Sequence, residues 1–158
     1  MTLVTIVAVG VFATLMTDLW QVLLKQMLGL PPANWAMVGR WVGGLARGTF
    51  RHRRIADSPA VRGERLIGWA FHYAIGIVYA ALFLWGLGDG LGIAPTVLAA
   101  TVFAVATLAA PWLILQPALG LGVMAARAVN RRAIRTVTIT THLVFGLGLY
   151  AGAVAATG

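Results

Sequence analysis

Apolar residues in this chain come in long runs, and the charged residues collect between them. Four runs are long enough to cross a bilayer as helix, which takes about 20 predominantly apolar residues. They cover about residues 2–28, broken only by Asp18 and Lys25, then 67–88, 96–123 and 136–156. Between the first two runs the pattern changes. From Asn34 to Arg54, Trp35, Val38, Val42 and Leu45 recur at helical spacing, while Arg40, Arg47, Arg51 and Arg54 gather on another face. That is the signature of an amphipathic helix lying in the headgroup plane, with the arginines on lipid phosphates. Pro31-Pro32 ends the first span and Asn34 can cap the new helix. Trp35 and Trp41 suit interfacial depth, whereas Gly43, Gly44 and Gly48 favour a bent or frayed helix. The pattern therefore predicts one all-α integral membrane domain over 1–158. It has four transmembrane helices plus an interfacial helix over about 34–54.

Charge adds orientation. All 12 Lys and Arg residues border the same ends of the apolar runs. Lys25 closes the first run, seven arginines lie between Arg40 and Arg65, and four lie between Arg127 and Arg135. Between the second and third runs there is only Asp89. The positive-inside rule then places both basic loops in the cytoplasm and both termini outside. The chain's first 16 residues carry no basic segment, and the apolar run continues to Leu24, so this reads as a span rather than a cleavable signal. A net charge of +8 would ordinarily point to nucleic acid, but only 10% of residues are charged and 60% are hydrophobic. Anionic lipid headgroups are the expected counter-charge, and no nucleic-acid partner is expected. Without cysteine there is no disulfide, thiolate metal site or cysteine nucleophile.

The chain also carries its own half twice. Arg62, Arg65, His72 and Gly76 match Arg132, Arg135, His142 and Gly146 at a constant offset of 70. Upstream, Val11-Phe12-Ala13 and Leu28-Gly29-Leu30 match Val102-Phe103-Ala104 and Leu119-Gly120-Leu121 at an offset of 91. Spans one and three run inward, two and four outward, so the expected arrangement is two parallel helix-pair repeats about an axis along the membrane normal.

Ionisable groups inside spans are costly and mark function by default. Asp18 lies seven residues before Lys25, about 10 Å deeper at 1.5 Å per residue. His72 and His142 each lie seven residues beyond an arginine, and Gln116 sits between Pro111 and Pro117 in the same half of the third span. Each span thus offers one polar group to a single layer, with Thr17, Tyr73, Tyr79 and Thr140 as candidate hydrogen-bond partners. A carboxylate, two imidazoles and an amide can relay protons or bind a polar solute. They can equally hold helices together. His72, His142 and Asp18 form a weaker candidate metal set. Two prolines in one span imply a kink with freed carbonyls, as in transporter sites. Gly148 and Gly152 form a GxxxG face that can accept a helix of this chain or of a second copy.

No phosphate-binding loop, nucleophile elbow, zinc-protease or dinucleotide motif is present. Catalysis would have to use the polar layer itself. The segments Ala13 to Trp20, Phe71 to Tyr79, Pro111 to Gly120 and His142 to Gly148 resemble a family of short bacterial membrane proteins classed as a domain of unknown function. The resemblance implies a four-helix inner-membrane protein and supplies no activity, substrate or cofactor. The leading expectation is a small transporter or channel-like protein, proton-linked and oligomeric, without a cofactor. An accessory subunit of a larger membrane complex is the alternative. A haem- or metal-binding redox protein using His72 and His142 is the third.

Overall fold

The computed structural model describes residues 1–157, and no strand occurs among them. Helix α1 is Leu3–Leu28 and α2 is Trp35–Leu45. Helix α3, Glu64–Ala81, widens into a π-helical coil over Leu82–Gly90. Helix α4, Val97–Thr107, continues through a π turn, Ala110–Leu115, into Gln116–Ala118. Helix α5 is Arg131–Thr157. Four of these elements, all but α2, are long and apolar enough to cross a membrane.

The ends follow local chemistry. The Thr2 and Thr96 side chains accept from the backbone N–H groups of Thr5 and Ala99 at the starts of α1 and α4. Gly29, at φ 65°, ends α1 in a left-handed turn. Helices α3 and α5 begin three and five residues before the apolar runs because helix formation does not require apolar side chains. Arg131 and Arg132 at the start of α5 are exposed. The α4 path ends at Ala118 rather than near 123 because Gly120 and Gly122 adopt positive φ. The helix is irregular around Pro111. Pro111 cannot donate to the helix ladder, and the chain responds with the wide turn, where the Gln116 N–H reaches back to the Pro111 carbonyl.

Helix α1 packs against α3 and α5, and α5 packs against α4. A Cβ on Gly148 would lie 2.8 Å from the Ala13 Cα, and one on Gly152 3.0 Å from the Val9 side chain. The GxxxG face is therefore filled by this chain's own α1, over a core of Ile6, Val9, Ala13, Phe145 and Leu149. Tyr79 and Phe83 close the remaining side of the bundle through the ring of Phe103.

The two halves share a contact register. Gly76 on α3 packs onto Gly10 and Thr14 of α1, while Gly146 on α5 packs onto Ala100 and Ala104 of α4. One step further along, Thr17 donates to the Thr14 carbonyl at 2.7 Å and Thr107 to the Ala104 carbonyl at 2.8 Å. These pairs relate α1 to α4 at an offset of 90, not the 91 given by the letter matches. Apolar stretches match by composition, whereas small residues at the crossing set the true register.

Helix α2 departs from expectation. It ends at Leu45 rather than near Arg54, and the Thr49 N–H turns back to the Gly44 carbonyl, with Gly48 at φ 75°. Arg47, Arg51 and Arg54 consequently lie exposed on the following loop. Arg40 does not share that exposure. It is 9% exposed, and its guanidinium grips both Glu64 oxygens at 2.8 Å. Its remaining donors take the carbonyls of Ile55, Ala56 and Ser58. Hydrogen bonding to Glu64 holds the Arg40 pKa above its ordinary value. The helix packs along α3 instead, where Gly39 and Gly68 meet so closely that a Cβ on either would overlap backbone of the other helix.

Candidate functional site

The crossing of α1 and α3 builds the site. Gly76 lets the α3 backbone press onto Thr14 and Gly10. The helices are antiparallel, so one turn on from Thr14 and one turn back from Gly76 bring Asp18 opposite His72. His72 Nε2 lies 2.9 Å from Asp18 Oδ1, and the Tyr73 hydroxyl donates to Oδ2 at 2.8 Å. Asp18 and His72 side chains are 19% and 13% exposed, so this polar pair is largely enclosed. An ionised Asp18 fixes Nε2 as the protonated nitrogen and leaves Nδ1 bare. No hydrogen bond engages Nδ1 among the described residues.

Aromatic rings hold the imidazole. Trp35, delivered by α2, stacks on His72 with centroids 3.9 Å apart and planes 23° apart. Trp69, one turn before His72 on α3, meets it edge-on at 5.7 Å. The same two indoles wall an open cleft of about 430 Å³, bounded by the segment 32–36 on one side and Arg65 with Trp69 on the other. The cluster thus adjoins the cleft through the shared rings of Trp35 and Trp69.

Gln116 and His142 do not join this cluster. Gln116 is 5% exposed and donates to the Thr138 hydroxyl at 3.3 Å. His142 Nδ1 donates to the Thr138 carbonyl at 2.9 Å, so both meet on Thr138 between α4 and α5. The shared register explains the separation. The position corresponding to Asp18 on α4 is Leu108, which leaves His142 no carboxylate to meet. Among the described residues no three His, Cys, Asp or Glu side chains come together as a metal-holding group. Thr17 is buried and spends its hydroxyl on its own helix. Tyr79 packs edge-on against Phe103 and Phe145 rather than bonding to the layer. Thr140 accepts from Trp20 Nε1 at 3.0 Å, tying α5 to α1 two residues beyond Asp18.

Three contributors escaped the pattern reading. The sequence pattern assigns Trp35 to the interface and gives Trp69 and Glu64 no role. The spacing Trp69, His72, Tyr73 is a one-face signal on a helix and could have flagged Trp69. Glu64 is one of only two carboxylates in the interval holding seven arginines, which marks it as an ion-pair candidate. Trp35 arrives through a turn and a separate helix, and no spacing rule reaches it.

Fold and site together define a class: a small helical protein with four helices long and apolar enough to cross a membrane and a half-buried Asp–His–Tyr cluster beside an aromatic cleft. Residues 7–156 match the family described as protein of unknown function, DUF2938, and the chain belongs to that family. No curated protein and no solved structure matches it.

Proposed function

We propose that this protein is a small inner-membrane transporter or channel-like protein that moves a small solute or ion with proton involvement. In this reading the four long helices cross the bilayer and the basic end faces the cytoplasm, by the positive-inside rule. Both termini lie outside, and Arg47, Arg51 and Arg54 rest on anionic headgroups. The matching registers support two parallel helix pairs of one repeated unit, only one of which retains a carboxylate. The observation that carries the reading is the Asp18–His72–Tyr73 cluster, whose imidazole packs against Trp35 and Trp69, two rings that also line the cleft.

The geometry supports a proton relay. A proton entering from the cleft adds to the bare Nδ1 of His72. The Nε2 proton then passes along the 2.9 Å line to Asp18 Oδ1, and His72 ends as the Nδ1–H tautomer. Once protonated, Asp18 no longer accepts charge-assisted hydrogen bonds from His72 Nε2 and the Tyr73 hydroxyl, and the neutral hydrogen bonds that replace them are weaker. Each proton delivered therefore loosens the α1–α3 contact, which is the coupling a solute-moving cycle needs. The accessory-subunit alternative loses one support, because the glycine face that could have taken a partner is occupied by α1.

Vesicles loaded with a pH-sensitive dye, with a potassium gradient and valinomycin, test the relay. Asp18→Asn keeps the shape and a hydrogen-bonding oxygen but removes the proton acceptor. Proton entry is expected to fall at least about tenfold, a barrier increase of roughly 1.4 kcal/mol. Wild-type rates from a folded Asp18→Asn protein would sink the assignment, as would a wild type no faster than empty vesicles.

A further inference from the structure

The cleft walled by Trp35 and Trp69 contains a charge that nothing among the described residues answers. Arg65 sits on the first turn of α3, is exposed, and makes no hydrogen bond or ion pair among the described residues. Its neighbour Glu64 does not neutralise it, because both Glu64 oxygens are committed to Arg40. Asn34, on the opposite wall, spends its side-chain oxygen on the Met37 N–H. Arg40 and Arg54 each pair with a carboxylate, and Arg135 donates to the Met124 carbonyl. Arg65 is thus the single formal charge on the walls of a cleft of about 430 Å³.

The remaining walls suit an amphiphilic anion. Trp69 lies one turn below Arg65, about 6 Å deeper along the helix. Trp35 faces Trp69 with centroids 6.1 Å apart, and its stack on His72 holds it in place. A guanidinium above two fixed indoles matches the headgroup-to-carbonyl zone of a bilayer, where arginine meets phosphate and indoles settle. The guanidinium fork takes two phosphate oxygens at once, more directionally than a lysine would.

We infer that this cleft is a binding site for a phosphate-bearing anion, with Arg65 on the phosphate and Trp35 and Trp69 against the group that carries it. The inference needs only the cleft and stands whether or not the cluster below relays protons.

Native mass measurement of the intact chain in mild detergent tests it, with short-chain phosphatidylglycerol and inorganic phosphate as probes. The wild type is expected to retain phosphatidylglycerol in preference to phosphatidylcholine, and Arg65→Gln to weaken retention about tenfold or more. Arg62→Gln removes a nearby exposed charge outside the cleft and is expected to change retention by less than about twofold. Arg65 has no hydrogen-bond or ion-pair partner among the described residues, so its variant is expected to fold as the parent does. Displacement of the lipid by inorganic phosphate identifies a soluble phosphate as the natural source, and retention against phosphate identifies a lipid headgroup. Either result supports the site. Equal binding by Arg65→Gln, an equal loss from Arg62→Gln, or no preference for the anionic lipid overturns it.

Discussion

Arg40→Met is expected to lower the stability of the folded protein by about 3 kcal/mol, the lower end of the cost of breaking a buried ion pair. The low end applies because the Glu64 side chain is 19% exposed and keeps some contact with water. The loss has two parts. Glu64 is left as an uncompensated charge whose other hydrogen bond is from the Val61 N–H. The turn at 55–58 loses the guanidinium that gathers three of its carbonyls. That turn matters beyond itself, because the Ile55 N–H bonds the Leu119 carbonyl and the His52 N–H bonds that of Ala118. Loosening it therefore undocks the loop from the end of α4. Chemical denaturation in detergent gives the first number, and trypsin gives the second. Arg51, Arg53 and Arg54 are exposed cleavage sites that the docked loop restrains, and cutting there is expected to accelerate in the variant. Adding Glu64→Gln to Arg40→Met should restore much of the stability but not the protease resistance, since the orphaned charge is gone while the turn remains unheld. Restored protection in the double variant would mean that Arg40 acts only through its charge.

How much of this was legible without coordinates follows from which interactions are local. The four long helices announced themselves through unbroken apolar runs, because a run of that length has few alternatives. Asp18 and His72 were legible as partners in depth, since both could be counted from a flanking cation. Their meeting was not, because it depends on helix rotation, and rotation is set at Gly76 by contact with Thr14. The same ignorance made His142 and Gln116 look like members of one layer. Depth put all four residues at one level, but rotation gave two of them to the α4–α5 pair. Arg40 misled for a different reason. An arginine at helical spacing among other arginines reads as a solvated or lipid-facing charge, and only a distant carboxylate turns it inward.

The repeat sharpens the point about chemistry. Both halves reuse the crossing, with a glycine of α3 or α5 pressed onto small residues of α1 or α4 and a threonine tied back along its own helix. Only the first half adds the carboxylate, the tyrosine and the helix that carries Trp35. The helix contacts recur and the polar cluster does not, which makes α2 an element that distinguishes the half carrying the cluster.

Gly68→Ala is expected to separate that element from the bundle. Helix propensity alone favours alanine over glycine by up to about 1 kcal/mol. Against this, the new Cβ would overlap the Trp35 carbonyl oxygen, a backbone atom that cannot rotate aside. Overpacking of this kind costs typically 1–3 kcal/mol, so the clash wins, and α2 must lift away. Trp35 then leaves His72, and Val38, now 4% exposed, meets solvent or lipid. The chain has no cysteine among the described residues, so a single Val38→Cys reports the change directly. Maleimide labelling of that position is expected to be slow in the parent background and at least about tenfold faster with Gly68→Ala added, following the loss of roughly 1.4 kcal/mol or more of docking energy. Gly86→Ala is the control, because a Cβ there meets nothing within 4 Å. It should leave labelling slow. Slow labelling in Gly68→Ala as well would mean that the two helices yield together, and that α2 is held by more than its glycine contact with α3.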